Sequence, residues 1–559
     1  MNWLLNRLAT VVAAAVMTGL IGTFLGAAFI GIDFGTHYDE YYFVDAMLRA
    51  IENLDLQHGF YTYNGLYFVP GFVYLIADAW PQIEAFRAAI AAHPARPVDL
   101  MAVPEAGLLI EHLRATATSG SFLIHVRMIF AAVTALSILW VYLAARTLFP
   151  DSRAAPLLGA AFVAMSWEIV SHARFVAPDT LLMQFAALQL FLLARFSRAT
   201  SPGASIGWAL MSAVAGGLGF GIKLTGVFLI LPPVFLLAFP VGGAAMFAWR
   251  ARLALLVGVV AAFLAVFVVT TPGAIWDPLH FLGHIDYEKF NYTQIPPHHP
   301  HRIDGLLPKL ALFAEWFALD LASPVAVVSM AMSGVAVAGL IVLARVSPAL
   351  LLAMAAFLAI DLWFLAQHAG VYIRNCLIAT PFIALAFAGG CRWIGELSLQ
   401  RAAIWWLAVA GFAVAFSVNT YRIFDTAWSI PQSSRAMVLD EFRAWTESDA
   451  GRTVWLSPGL VNALGGDIAG LLSCGDAGIG FADPDDLAAL FYAEREWWEW
   501  PANRPGFIDR VFSSHEINYD YVPSWEGHRE KDRINVLRFD RLSVVGADAS
   551  RFRPCQVRE

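Results

Sequence analysis

Two adjacent carboxylates, Asp39 and Glu40, stand just beyond the first apolar stretch of the 559-residue chain, in the run Thr36-His37-Tyr38-Asp39-Glu40-Tyr41-Tyr42. Paired acids beside a low-dielectric wall repel one another and have ionisation that burial tunes, which suits one of them to taking a proton from a hydroxyl. The bland alternative is that the pair marks the polar end of a helix. Three cations also border apolar stretches: Arg174 in Ala173-Arg174-Phe-Val-Ala-Pro178-Asp179, Lys223 closing Gly217-Leu-Gly-Phe-Gly-Ile-Lys223, and Arg374 in Tyr372-Ile-Arg374. Fixed cations at an interface stabilise negative charge developing on a departing phosphate, whereas their bland alternative is snorkelling to lipid headgroups. Asp179 follows Pro178 and equally suits the first turn of a helix. The cluster His298-His299-Pro300-His301 offers imidazoles which, with an acid such as Glu40, could hold a divalent metal ion. Its prolines keep it off a regular helix face, so a solvated polar loop is the competing reading.

These side chains need elements to hold them, and the composition says of what kind. Hydrophobic residues make up 59% of the chain and charged residues 14%, with a mean hydropathy of +0.62. Lipid must therefore be the main solvent. A bilayer core of about 30 Å requires about 20 apolar residues in helix, since every backbone polar group there must be satisfied internally. That rule divides the chain into about eleven spans. They fall near residues 8–32, 121–148, 155–172, 177–195, 205–222, 224–240, 253–272, 324–344, 348–367, 371–390 and 402–419. The first is read as a retained helix, because its apolar run exceeds that of a signal peptide and lacks a convincing cleavage site.

Arg7, Arg146, Arg153, Arg195, Arg198, Arg250, Arg252, Arg345, Arg392 and Arg401 all fall on one side when eleven spans are counted. Positive residues are retained in the cytoplasm, so the N-terminus is expected there, with residues 33–120, 273–323 and the tail on the outer face of an inner (plasma) membrane. Arg174, Lys223 and Arg374 fall on that same outer side as Asp39 and Glu40, against the positive-inside tendency. The fold class expected is an all-α polytopic membrane bundle over residues 1–420, then a small α/β periplasmic domain over residues 421–559. In that tail an amphipathic helix is expected near Met437–Thr446, with β-like runs at Thr453–Ser457, Tyr519–Pro523 and Val536–Phe539. Cys474 and Cys555 either pair as a disulfide in an oxidising compartment or stay as two thiols, and both readings remain open.

A transmembrane helix, an Asp-Glu pair just outside it, a short surface helix from Val44 to Leu54 and a Tyr/Pro re-entry from Tyr61 to Pro70 resemble the first outer loop of GT-C glycosyltransferases. The Arg174-to-Asp179 turn, the glycine-rich helix ending in Lys223, and the stretch from Tyr372 to Pro381 are similar to motifs of the protein mannosyltransferase and aminoarabinose transferase branch. The resemblance covers roughly residues 1–420, with the motifs in the family's order. It implies transfer of a sugar, with inversion, from a polyprenyl-phosphate carrier to a glycan, lipid or protein acceptor on the outer face. It also implies Asp39 as base, Glu40 as an assisting or metal-binding acid, and Lys223, Arg174 and Arg374 at the donor phosphate. His37, Tyr41, Tyr67, Asp179 and Tyr372 are expected around the substrate, and His299 and His301 at a possible metal or at the carrier phosphate. The family's His-Gly flavour near the latter pair is replaced here by His298-His299, which sets the metal reading apart from the rest.

Other chemistries lose support. The chain has no Walker loop, no Rossmann glycine fingerprint, no Gly-x-Ser-x-Gly elbow at a credible strand turn and no Cys-x-x-Cys pair. Its formal charge of −8 includes no basic run for nucleic acid. Trp497-Trp498-Glu499-Trp500 lacks the Asp-Tyr-Gly continuation of the oligosaccharyltransferase motif and reads as aromatic packing. The rival from another class is a secondary transporter or flippase, which would place ionisable groups near the bilayer midplane rather than at outer helix ends.

Overall fold

The computed structural model describes residues 2–32, 38–53, 65–93, 103–239, 242–293, 303–398 and 402–429, together with eight short strands between Thr453 and Val557. His37, His298, His299, His301 and the helix expected near Met437 lie outside the described residues. The chain is a helical, multi-pass membrane protein. Among the described residues nine helices are long and apolar enough to cross a bilayer: Arg7–Phe29, Gly120–Leu148, Pro178–Ser197, Pro202–Ile222, Trp249–Thr270, Ala326–Val346, Pro348–Leu365, Ile373–Leu397 and Trp406–Trp428.

The two remaining expected spans take other forms. Residues 155–172 become the helices Ala154–Ala164 and Trp167–Ala173, bent by 51°, a tenth span if the pair is counted as one. At the break Ser166 is extended, and its hydroxyl donates to the Leu321 carbonyl at 2.8 Å. Residues 224–240 become a 3₁₀ run, Leu224–Ile230, and a short helix, Leu231–Ala238. At about 2.0 and 1.5 Å of rise per residue these extend only about 26 Å, short of a full hydrocarbon core. Pro232 and Pro233 open the second piece, where their missing N–H groups cost no hydrogen bond.

The described chain divides into two compact units. The first comprises Met1–Phe29, Asp55–Pro70 and Arg127–Phe424. The windows of its two most enclosed spans, Pro178–Ser197 and Ile373–Leu397, are 72% and 78% buried, so the ends of these helices are the best placed to hold a fixed site. The glycine-rich run explains how a neighbouring helix reaches them. A Cβ on Gly217 would come within 2.6 Å of the Phe263 carbonyl oxygen, one on Gly219 within 2.6 Å of Leu229, and one on Gly221 would strike Thr270. Those glycines let Pro202–Ile222 lie against Trp249–Thr270 and the 3₁₀ run at backbone distance.

The second unit comprises Ile30–Leu54, Gly71–Val126 and Asp425–Glu559. In its Tyr38–Asn53 helix the residues Phe43, Ala46, Met47, Ala50 and Ile51 recur at helical spacing and are all 4% exposed or less. Phe43 stacks on Phe122 with ring centroids 6.4 Å apart. Arg114 donates to Glu52 at 2.5 Å and Thr116 to Asp78 at 2.8 Å, fastening the Pro104–Ala117 helix to its neighbours.

The tail's strands are β1 Thr453–Leu456, β2 Leu472–Cys474, β3 Ala489–Tyr492, β4 Phe512–Ser514, β5 Ile517–Val522, β6 Ile534–Phe539, β7 Leu542–Val544 and β8 Arg553–Val557. Six form one sheet in the order β2-β8-β1-β3-β6-β5, in which only β1 and β3 run parallel; β4 and β7 form an antiparallel pair. The three β-like runs of the sequence coincide with β1, β5 and β6. The register of β2 on β8 sets Cys474 opposite Cys555.

Candidate active site

Lys223 caps the Pro202–Ile222 helix in an extended conformation, with its N–H still bonded to the Gly219 carbonyl at 3.2 Å. Its ammonium donates to Asp179 Oδ1 at 2.7 Å and to Asn375 Oδ1 at 3.0 Å. Asp179 lies in the first turn of Pro178–Ser197, where its charge also suits the helix dipole, and is 4% exposed. That helix starts where it does because Ala177, preceding a proline, is extended (φ −128°, ψ 144°) and Pro178 is preset for the first turn. Both sequence readings of Asp179, as a helix-end acid and as a site residue, describe the same position.

Around this pair the described residues gather further polar groups. Arg374 and Tyr292 lie within electrostatic reach of Lys223, as does Glu288. Burial pulls the Lys223 ammonium down, but Asp179 and Tyr292 together outweigh it and hold the group above its ordinary range. The Arg374 guanidinium sits over the Tyr372 ring, 5.2 Å from its centroid. The turn before Tyr372 is fixed on two sides: Lys309 donates to the Ala366 carbonyl at 2.9 Å, and the Ala369 N–H to the Tyr292 carbonyl at 2.9 Å. His368 packs between Tyr292 and Phe364, at 5.1 and 4.7 Å.

Glu288 and Tyr292 belong to the Pro278–Thr293 helix, in which Leu279, Leu282 and Phe290 are exposed, Phe281 is buried, and His284 and Glu288 are half-buried. His284 Nε2 stands 3.5 Å from Glu288 Oε1. Burial, with His280 assisting, pulls His284 down to about 4, and burial pushes Glu288 above the ordinary carboxylate range, partly opposed by Lys223.

Arg174 follows the Trp167–Ala173 helix and is 1% exposed. Burial first, and then the neighbouring Arg127 charge, pull its guanidinium down to about 10. Arg127 is itself 1% exposed, inside the Gly120–Leu148 span. Two buried guanidiniums in mutual repulsion favour an anion beside them. The Gly65–Phe68 segment is tied to the same turn: the Tyr67 hydroxyl donates to the Val176 carbonyl at 2.7 Å, and the Gly65 N–H to Thr271 Oγ1 at 3.3 Å.

Of the expected residues, the structure thus brings together Lys223, Asp179, Arg374 and Tyr372, and separately joins Tyr67 to the segment that carries Arg174. Asp39 and Tyr41 begin the Tyr38–Asn53 helix, with side chains outside the described residues; Glu40 beside them is 0% exposed rather than solvated. No group of three or more His, Cys, Asp or Glu side chains is disposed to hold a metal ion among the described residues. Sequence reading missed Asn375 and Tyr292, which have no signature of their own. It also passed over Arg127 and Asp361, although an ionisable residue inside an apolar span is itself a signal.

Residues 114–276 match the family model described as dolichyl-phosphate-mannose-protein mannosyltransferase, a stretch that contains Arg127, Arg174, Asp179 and Lys223. The resemblance to membrane glycosyltransferases of the mannosyltransferase branch is borne out over that stretch, and the chain is an enzyme of the glycosyltransferase class. Among solved structures it is similar to ArnT from Cupriavidus metallidurans in the apo state, with 15% identity and a TM-score of 0.49 over 94% of this chain and 98% of that one. The same protein bound to undecaprenyl phosphate gives 13% identity and a TM-score of 0.46 over 96% and 98%. The archaeal oligosaccharyltransferase AglB from Archaeoglobus fulgidus, in complex with an inhibitory peptide and a dolichol-phosphate, gives 12% and 0.39 over 76% and 59%. No curated protein matches the chain in sequence.

Proposed function

We propose that the protein transfers a sugar, with inversion, from a polyprenyl-phosphate carrier to an acceptor hydroxyl on the outer face of the inner membrane. The acceptor oxygen attacks the anomeric carbon, the bond from that carbon to the phosphate oxygen breaks, and the carrier phosphate leaves with the electron pair. Asp39 takes the hydroxyl proton, with Glu40 assisting, a base contribution of about 100- to 10,000-fold. Lys223 and Arg374, with Arg174, meet the negative charge on the leaving phosphate. His37, Tyr41, Tyr67, Asp179 and Tyr372 surround the substrates. A divalent ion held by His299, His301 and Glu40 is a separate proposal, checked by whether a chelator lowers transfer.

The observation that carries this reading is the ammonium of Lys223, held by Asp179 and Asn375 with Arg374 in electrostatic reach, at the end of two enclosed helices. The description of the matched family supports a polyprenyl-phosphate donor and a protein acceptor. With the bent pair and the shortened Leu224–Ala238 piece both counted as crossings, the one-sided arginines support a cytoplasmic N-terminus and an outer, periplasmic α/β tail. Mass spectrometry of products from purified protein and a panel of polyprenyl-phosphate sugars tests it. A mass-shifted acceptor is expected from the unaltered chain, and none from Asp39→Asn, which should still bind donor. If labelled donor crosses sealed vesicles without any product forming, the transporter or flippase reading replaces this one.

A further inference from the structure

Asn375 stands beside Arg374 in the 3₁₀ run Ile373–Ala379, and its backbone N–H donates to the Tyr372 carbonyl at 3.0 Å. Its side-chain oxygen accepts from the Lys223 ammonium at 3.0 Å. An ammonium has donors only, so the amide can meet it with oxygen alone, and this contact fixes which arm of the amide points where. The NH2 arm is the one that does not face Lys223. It makes no hydrogen bond with any described residue, yet it is not sealed from solvent. Asn375 and Lys223 are both half-buried. Two N–H donors are therefore open beside the ammonium.

The ammonium is unfinished in the same way. Lys223 has three N–H bonds; Asp179 Oδ1 at 2.7 Å and Asn375 Oδ1 at 3.0 Å take two, which leaves one for a ligand. The NH2 arm of Asn375, bonded to the same carbon as the oxygen that Lys223 holds, lies no more than about 5 Å from that ammonium. Hydrogen bonds of about 2.9 Å to two oxygens of one phosphate bridge such a gap. A phosphate also repays the contact best, because bonds to a charged acceptor are stronger than those to a sugar hydroxyl. The neutral amide has a further merit: a second carboxylate in its place would cancel the charge of Lys223, whereas Asn375 steadies the ammonium and leaves its charge for an anion.

We propose that Asn375 binds the carrier phosphate directly, its NH2 donating to a phosphate oxygen beside the one that takes the third N–H of Lys223. This rests on the reading of Lys223 as a phosphate-binding residue and goes beyond it by giving the amide a substrate contact of its own. An Asn375 that only steadied Lys223 would act solely through the ammonium, and that difference is measurable.

The test is binding of geranylgeranyl monophosphate to the full-length protein in detergent, with geranylgeraniol as the uncharged control. Asn375→Leu, close to asparagine in shape, should weaken monophosphate binding about tenfold or more, the effect of a lost hydrogen bond to a charged group, and leave the alcohol unchanged. The deciding background is Lys223→Met with Asp179→Asn, which removes the ammonium and its acid together. There Asn375→Leu should still weaken the monophosphate about tenfold. Loss of the effect in that background makes Asn375 a support for Lys223 and overturns the proposal, as does unchanged monophosphate binding by folded Asn375→Leu in the otherwise unaltered chain. Should Asn375→Leu fail to fold, Asn375→Ala makes the same comparisons. If Lys223→Met with Asp179→Asn binds the monophosphate as well as the unaltered protein, the phosphate reading of Lys223 fails instead.

Discussion

Removing the ammonium of Lys223 while Asp179 stays in place strands a carboxylate that is 4% exposed. At their separation of 2.7 Å, two unit charges attract by about 6 kcal/mol for an effective dielectric of about 20. Desolvation of both ions returns most of that, so the net value of the pair is small and the cost of breaking it is large. Lys223→Met should therefore lower the unfolding free energy by about 3–5 kcal/mol. Lys223→Met with Asp179→Asn removes both charges and should recover to within about 1–2 kcal/mol of the starting value, a coupling typical of groups in direct contact. Transfer should not recover. If the same ammonium meets the departing phosphate, both variants lose about 100- to 1,000-fold in rate. Thermal unfolding in detergent, read beside sugar transfer from a polyprenyl-phosphate donor, separates the two roles. A double variant that regains stability and also regains transfer would show that Lys223 serves only as half of a structural ion pair.

Three further outcomes are expected. Tyr67→Phe leaves the Val176 carbonyl without its 2.7 Å donor and should cost about 1–2 kcal/mol, read from the same unfolding experiment; an unchanged midpoint would mean that the re-entry is not fastened there. His284 titrates near 4 in the fold against an ordinary 6.5, so the unfolded chain binds the extra proton between those values. Stability from this group is thus full above about 6.5 and falls as pH drops towards about 4, by up to about 3 kcal/mol; Glu288, raised in the fold, works in the opposite sense, and His284→Gln should flatten the acid slope measured by thermal unfolding. With the tail outside the cytoplasm, the register that sets Cys474 opposite Cys555 predicts a disulfide, seen as one cross-linked peptide in unreduced digests; alkylation of both thiols without reductant would refute it.

How much of this was legible in the sequence follows from the range of the physics involved. Spans are a local property, because about 20 apolar residues either fill the hydrocarbon core or fall short of it, and the order of nine helices could be read from that alone, although the last two run on to Leu397 and Trp428, past the expected ends at 390 and 419. The two departures came from local chemistry of another kind: the break at Ser166 and the Pro232-Pro233 start of a shortened piece. Lys223 was legible as a cation at a helix end, but its partners were not, since Asp179 and Asn375 lie 44 and 152 positions away. What joins them is packing. Gly217, Gly219 and Gly221 read as a family motif, and a glycine-rich run ending in a lysine invites the thought of a phosphate cradle. Here each missing Cβ is where another helix or side chain passes. The glycines therefore act one step before the chemistry: they let the Pro202–Ile222 helix press into the bundle, so that its last residue emerges beside the first turn of one enclosed helix and the approach to the other. A single methyl at Gly217 or Gly221 would push that helix away and carry the ammonium with it, which is why the motif and the cation are adjacent in the chain although only one of them is placed to touch a phosphate.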